Sequence, residues 1–393
     1  MALDFQPPCP GTQVQERLYM KISKKIVSSV AAAALVTSAV IAGTTAASAA
    51  ACAGNLKIYF QGAQTGNYAE TGINEYNGVK LAIDKYNATN PTTKIDYDVI
   101  DTQASGSQSP ALASKVVDDA CAIGVVGGMY SGETLAAVPI YEGGKVPVIS
   151  PSATNPALTN KSPYFHRVVA NDLVQGPALA GIAKSLKAKL FVVDDATPYG
   201  KGLATIVKKN IPGLIVGTDA VTEGTTNFSS IVAKVKASKA TAVFYGGYYP
   251  EASIFVKQLR DNPATAKIAF LAGDGVLDGE FIKLAKKNAE GAYLTAPGLD
   301  MKAAAPALYN EYKTKFNREP GLYTLEAYNS AYFFLEGIKK GKTTREALNT
   351  WIGEAVVKGV GLTMSFSSTG DVDKIVMNQY TIKNGKMVWV KTL

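Results

Sequence analysis

From residue 56 onward, short apolar runs alternate with longer stretches whose apolar positions recur every three or four residues. An uninterrupted apolar run reads as a strand buried on both faces, and the three-to-four spacing as an amphipathic helix. Residues 56–60 are thus a first strand, followed by a helix with Ile73, Tyr76, Val79, Ile83 and Tyr86 on one face. Strands at 95–100, 123–126 and 146–149 follow, separated by helices at 110–120 and 132–141. Such alternation builds a parallel sheet through βαβ units. The segment 164–169 leads to Asn171 and Asp172, good capping residues ahead of a helix at 174–186, and there the series restarts. Strands at 189–193, 214–216, 241–245, 267–272 and 292–296 alternate with helices beginning near Gly200, Asn227, Pro250 and Gly279. Helices at 304–316, 323–339 and 344–358 come next, and Asn384-Gly385 between two apolar runs is a two-residue hairpin signal. The fold class is α/β: two Rossmann-like lobes, each a mainly parallel sheet flanked by helices, with antiparallel strands at the end.

A chain of 393 residues exceeds the usual single-domain size, in keeping with two lobes. The net charge of +8 changes little, because Lys and Arg are scattered through helical stretches with no basic run interleaved with aromatics, which excludes a nucleic-acid footprint. The N-terminus changes more. Residues 20–25 are a positive n-region, 26–41 an apolar h-region and Ala47-Ser48-Ala49 an A-x-A cleavage site, so residues 1–49 are leader and secretory signal peptide, with Met20 as the expected start. No later stretch is apolar for long enough to span a membrane, and the mature chain is expected without a transmembrane helix.

Removing the leader leaves Cys52 and Cys121. Cys52 follows small residues and has one reading as a lipidation site, although Ala49 stands where a lipobox usually has Leu or Val. In the other reading the pair forms a disulfide: each cysteine lies just upstream of a strand, and a doubly wound order 2-1-3 makes those strands neighbours. An exported compartment permits the bond.

Candidate chemistry lies where strands end. Tyr130-Ser131 and Ser152-Ala153-Thr154 each follow a buried strand directly, in the position where open α/β sheets bind ligands. Ser131 opens a helix, so its hydroxyl and the free N–H groups of the first turn can meet a small anion together. No His, Cys or Lys stands near these serines in sequence to activate them, and no nucleophile-elbow, P-loop or zinc-protease motif is present, which points to holding rather than cleaving. The single histidine, His166, reads as a packing residue, and Asp371-Val-Asp373 as an ordinary turn. No metal or cofactor is expected. In the second lobe three loops at strand ends should face the cleft, carrying Tyr199, Tyr248 and Asp274, the last a natural partner for an ammonium.

The stretches Gly62-Ala-Gln-Thr-Gly66, Ile140-Tyr-Glu142, 151–158, Asn171-Asp172 with Gln175-Gly176, Tyr199-Gly-Lys-Gly202, Phe228-Ser-Ser230 and 245–251 together resemble the leucine/isoleucine/valine-type substrate-binding proteins of ABC importers, with the type I periplasmic-binding-protein fold. The resemblance covers residues 56–390. It implies an exported, monomeric binding protein of the periplasm or cell envelope, not an enzyme, which captures a small amino acid, branched-chain or otherwise hydrophobic, and delivers it to a permease. Binders of amides, urea and aromatic acids share the family, and a sensor feeding a separate receptor is a further alternative. By the resemblance, Ser131, Ser152 and Thr154 hold the ligand carboxylate and Asp274 the ammonium, while Tyr199, Tyr248 and Tyr323 make further contacts. Thr71, where an aromatic is often found, and Tyr130, where a small residue is common, reshape the side-chain pocket. Lobes of 50–172 plus 298–362 and 173–297 plus 363–393 are expected, joined by three crossings near 172, 298 and 362.

Overall fold

The computed structural model describes residues 52–393, so the signal peptide, its cleavage site and Met20 lie outside the described residues. In chain order the first lobe's elements are β1 (Leu56–Gly62), α1 (Ala69–Ala88), β2 (Ile95–Asp101), α2 (Ser109–Asp118), β3 (Ala122–Val126), α3 (Ser131–Gly143), β4 (Val148–Ser150) and β5 (Phe165–Arg167). These five strands are all parallel, in the order β2-β1-β3-β4-β5. The chain then enters α4 (Asp172–Ser185), where the Asn171 side chain accepts from the Leu173 N–H as a capping residue should.

A second sheet starts with β6 (Leu190–Asp194) and continues through α5 (Pro198–Asn210), β7 (Ile215–Ala220), α6 (Ser229–Ala237), β8 (Ala242–Gly246), α7 (Tyr249–Asp261), β9 (Ala269–Ala272), α8 (Gly279–Ala285) and β10 (Tyr293–Pro297). After it come α9 (Met301–Ala304), α10 (Pro306–Phe316), α11 (Thr324–Lys339), α12 (Arg345–Glu354), the short antiparallel pair β11 (Val357–Lys358) and β12 (Thr363–Met364), and the hairpin β13 (Met377–Lys383) and β14 (Lys386–Thr392). The second sheet runs β14-β13-β10-β9-β8-β6-β7, parallel from β6 to β10 and antiparallel where β13 and β14 join. Asn384 and Gly385 both take positive φ at the hairpin tip, the conformation that an Asn-Gly pair tolerates and most residues do not.

The helices after β10 belong to the first sheet's core, where Tyr312, Phe333, Phe334 and Ile352 are buried together with Ile58, Phe60, Ile123 and Ile149. The segment following them stays there for longer than the sequence suggests. Met364 and Phe366 are in the same core, Phe366 packs against both His166 and Phe333, and Asp371 bridges to Arg167 at the end of β5. The return to the second sheet therefore comes after residue 373, not near 362, because Phe366 needs that apolar surface. The last helix is also shorter than its periodicity implies: Thr344 caps it, it ends at Glu354, and Val357–Lys358 pairs as a strand.

Cys52 and Cys121 form a disulfide across 69 residues of sequence. The order β2-β1-β3 sets the starting ends of β1 and β3 side by side, and the Lys57 N–H donates to the Cys121 carbonyl at 2.8 Å. A sulfur held this way is not free to carry a lipid thioether. Among the described residues, no helix is long and apolar enough to cross a membrane.

Candidate functional site

The carboxyl ends of the parallel strands of both sheets open onto one narrow cavity of about 30 Å³. Thr71, Glu75, Met129, Tyr130, Ser131 and Ser152 line it from the first lobe, and Tyr199, Tyr248, Tyr249, Asp274, Gly275, Leu277 and Asp278 from the second, with Leu322 and Tyr323 just ahead of α11. Eight of the nine ligand-contact residues expected from sequence are in this wall. Thr154 is not. It is buried outside the wall, with its carbonyl accepting from the Asp172 N–H at 2.9 Å and its hydroxyl without a hydrogen-bond partner among the described residues.

The first wall is built around Glu133. Its Oε1 accepts from the N–H groups of Met129 and Tyr130 at 2.8 and 3.0 Å, and its other oxygen accepts from the Thr102 hydroxyl. Burial pushes this carboxyl up to about 7. The effect is to fix the loop between β3 and α3, so that Tyr130 occupies the cap position and Ser131 opens the helix at the cavity. The Ser131 hydroxyl accepts from the Asn155 N–H at 3.2 Å, which leaves its own proton for a ligand. The Ser152 hydroxyl donates to the Met129 carbonyl at 2.9 Å.

The second wall is built around Asp274. Its Oδ1 accepts from the Tyr199 hydroxyl at 2.9 Å and its Oδ2 from the Tyr323 hydroxyl at 2.7 Å. Tyr199 in turn accepts from the Gly275 N–H at 3.1 Å. Burial raises the Asp274 carboxyl above its usual range, while the two tyrosine hydroxyls pull the other way. Tyr248 stacks on Tyr199 at 5.1 Å and meets Tyr130 edge-on at 4.8 Å, so an aromatic layer crosses the cleft. Gly275 has to be glycine for packing reasons: a Cβ there would lie 2.7 Å from the Gly247 carbonyl and 2.7 Å from the Tyr199 ring.

Contacts between the walls hold the cleft shut. The Thr71 hydroxyl donates to Asp278 Oδ2 at 2.7 Å, the Tyr249 hydroxyl to the Asn67 carbonyl at 2.6 Å, and the Asn155 amide to the Pro198 carbonyl at 2.6 Å. The sequence reading missed Glu75, Tyr249 and Asp278. The signal for Glu75 was available: it lies four residues after Thr71 on α1, one turn along the same face.

A sequence profile described as "Periplasmic binding protein" matches residues 55–382. The chain belongs to the periplasmic binding protein family. Among curated relatives of this binding protein, the leucine-, isoleucine-, valine-, threonine- and alanine-binding protein of Pseudomonas aeruginosa is 31% identical over 298 residues, covering 73% of this chain and 79% of that one. The branched-chain amino acid transporter substrate-binding protein LivJ of Streptococcus pneumoniae, solved in complex with isoleucine, superposes with a TM-score of 0.77 at 27% identity, over 86% of this chain and 100% of that one. The leucine-binding protein LivK of Thermotoga maritima gives 0.78 at 26%, over 86% and 98%. The family is one of exported binding proteins rather than enzymes, and the fold is the type I binding-protein fold expected from sequence.

Elsewhere two sequence readings meet the structure. His166 is buried in β5 against Phe366, and burial lowers it to about 4, which keeps it neutral. Asp371, read as an ordinary turn residue, is instead a hub: its Oδ1 accepts from Arg167 Nε at 2.6 Å and its Oδ2 from Thr159 and Asn171. Among the described residues, no group of three or more metal-ligating side chains gathers.

Proposed function

We propose that this protein is the extracytoplasmic solute-binding component of an ABC importer, which captures a small amino acid in the interlobe cleft and passes it to a permease. The observation that carries this reading is the pairing of unlike ends across one narrow cavity. Ser131 and the first turn of a 13-residue helix stand on one wall, and Asp274, steadied by two tyrosine hydroxyls, on the other. The ligand carboxylate lies against the Ser131 hydroxyl and the N–H groups that open α3, where the helix dipole favours negative charge, and Ser152 joins them by turning its proton from the Met129 carbonyl to the ligand. The ammonium meets Asp274 with Tyr199 and Tyr323, and its charge favours the carboxylate form against the burial that raises this group. Thr154 plays no direct part. The relatives named for leucine, isoleucine and valine support an amino acid as the ligand. The acidic wall residue Glu75 favours a second reading, an amide ligand in the same cleft.

In this reading the lobes close as a hinge whose crossings lie near residues 168–172, near 298 and between 373 and Met377, and the protein works as a monomer. The cleft holds and releases its ligand without changing it. Calorimetry with leucine, isoleucine and valine on the mature protein tests the proposal. Asp274→Ala should weaken binding by about 2 kcal/mol or more, because it strips the partner from a buried charge. Unchanged affinity would remove Asp274 from the ammonium role.

A further inference from the structure

A second cavity, of about 10 Å³, lies where the chain passes between the lobes, and all three crossings border it: residues 168–170 from the first, 298–299 from the second, 374 and 376 from the third. Glu326, in the first turn of α11, is the acid in its wall. Its Oε1 accepts from the Leu299 N–H at 2.8 Å, and the Gly298 carbonyl accepts from the Asn378 amide of β13 at 2.8 Å. One peptide unit is therefore gripped by a helix of the first lobe and a strand of the second. Gly298 turns there with a φ of +98°, and a Cβ on it would lie 2.4 Å from Glu326 Oε1, so the pivot must be glycine on both counts. Leu299 also borders a groove of about 630 Å³ between the lobes, so a swing of this crossing brings water to Glu326.

On the reading that the lobes open and close about these crossings, we propose that Glu326 is a positioning residue for the hinge: while neutral, its carboxyl latches the 298–299 peptide in the closed form, and when it ionises the crossing swings free. The groups around it supply little counter-charge. Glu75 on α1, Tyr323 ahead of α11, Tyr380 on β13 and Asp300 beyond Leu299 are all acids, and the basic residue of the cavity wall, Lys374, is exposed to solvent. The N–H groups of Leu299 and of Glu326 itself favour the charged form, but burial outweighs them and raises the carboxyl to about 7. Opening hydrates the carboxyl and returns it towards its ordinary range, so the open form gives up the proton first. Closure is thus favoured fully on the acid side and loses this contribution as pH rises through about 7. Ligand affinity follows the same sign, since the ligand touches both walls only in the closed form.

X-ray scattering of the mature protein, freed of bound ligand by unfolding and refolding, reads the open population from about pH 5.5 to about pH 8. In wild type the radius of gyration should rise across this range. Glu326→Gln, which keeps an acceptor for the Leu299 N–H but cannot ionise, should lose most of that rise. Gly298→Ala, which sets a Cβ against the carboxyl at the pivot, should already be open at the acid end. A radius that is flat with pH in wild type, an equal rise in wild type and Glu326→Gln, or a closed Gly298→Ala at the acid end each overturns the role of Glu326. If Thr71→Val still opens the protein in any of those cases, the hinge reading itself stands. If neither pH nor any of the three variants changes the radius, the hinge reading falls and the inference with it.

Discussion

Tyr199 carries more of the site than one contact suggests, because its hydroxyl donates to Asp274 and accepts from the Gly275 N–H at once. Tyr199→Phe keeps the stack on Tyr248 and removes only that oxygen. A hydrogen bond to a charged group contributes about 1.5–3 kcal/mol, so affinity should fall by about tenfold or more, and the melting temperature of the ligand-free protein should fall as well because Asp274 and the Gly275 N–H lose a buried partner. Equal affinity by calorimetry would show that Asp274 is positioned without it. Buried carboxyls also set a pH dependence. Burial raises Glu133, Glu326 and Asp195 to about 7 and Asp172 to about 8. Their contribution to stability is full below the ordinary carboxylate range and is lost as pH rises through these values, since the unfolded chain releases its protons earlier. His166 acts oppositely, but only as pH falls from 6.5 towards 4. From pH 6.5 to 8.5 the carboxyls act alone, and the urea midpoint of the ligand-free protein should fall. A flat or rising midpoint would mean that these groups are charged in the fold.

Arg167 ties one strand end to three other segments. Its side chain is fully buried, and it donates to Asp371, to the carbonyls of Ala153 and Asn155 and to the Thr159 hydroxyl. Breaking a buried pair from one side costs about 3–5 kcal/mol, so Arg167→Met should lower the urea midpoint strongly and expose the 367–373 segment to protease before the rest. The disulfide acts on the same lobe by another route. Closing a loop of 69 residues restricts the unfolded chain by about 4 kcal/mol in the chain-entropy account, and reductant should lower the melting temperature accordingly. Neighbouring cysteines were legible from strand order alone, as were most strands, since a run buried on both faces leaves an unbroken apolar signature. Helix α1 was only half legible. Val79, Ile83 and Tyr86 are its buried face as their spacing implies, but in its first half the buried residues are Gly72, Asn74, Glu75, Asn77 and Gly78, none of them a large apolar side chain. That half packs against α11 and the cavity, where partners distant in sequence, such as Tyr312 on Asn74 and Thr324 against Gly78, make polar burial tolerable. A single sequence shows periodicity and strand ends; it does not show which polar residues a distant segment will cover.

Closure of the whole molecule rests on a few polar links between the lobes and on the aromatic layer that crosses the cleft. Thr71 with Asp278, Tyr323 with Asp274, Tyr249 with the Asn67 carbonyl and Asn155 with the Pro198 carbonyl are joined by a weaker contact of the Tyr68 hydroxyl with Glu251 at 3.3 Å. Exposed to water in an open form, each of these groups exchanges one hydrogen bond for another, so the net gain per link is about 1 kcal/mol. A handful of such links holds the two states close in energy, which is what a protein that must also release its ligand requires, and ligand contacts on both walls then decide the balance. Thr71→Val removes the hydroxyl that reaches Asp278 and leaves that carboxyl with only the Glu280 N–H. The variant should show a larger radius of gyration than wild type by X-ray scattering without ligand, return to the wild-type value at saturating ligand, and bind more weakly by a factor that matches the shift in the open population. An unchanged radius without ligand would place the closing energy in the aromatic layer of Tyr68, Tyr130 and Tyr248, and Tyr248→Ala would then be the variant that opens the cleft.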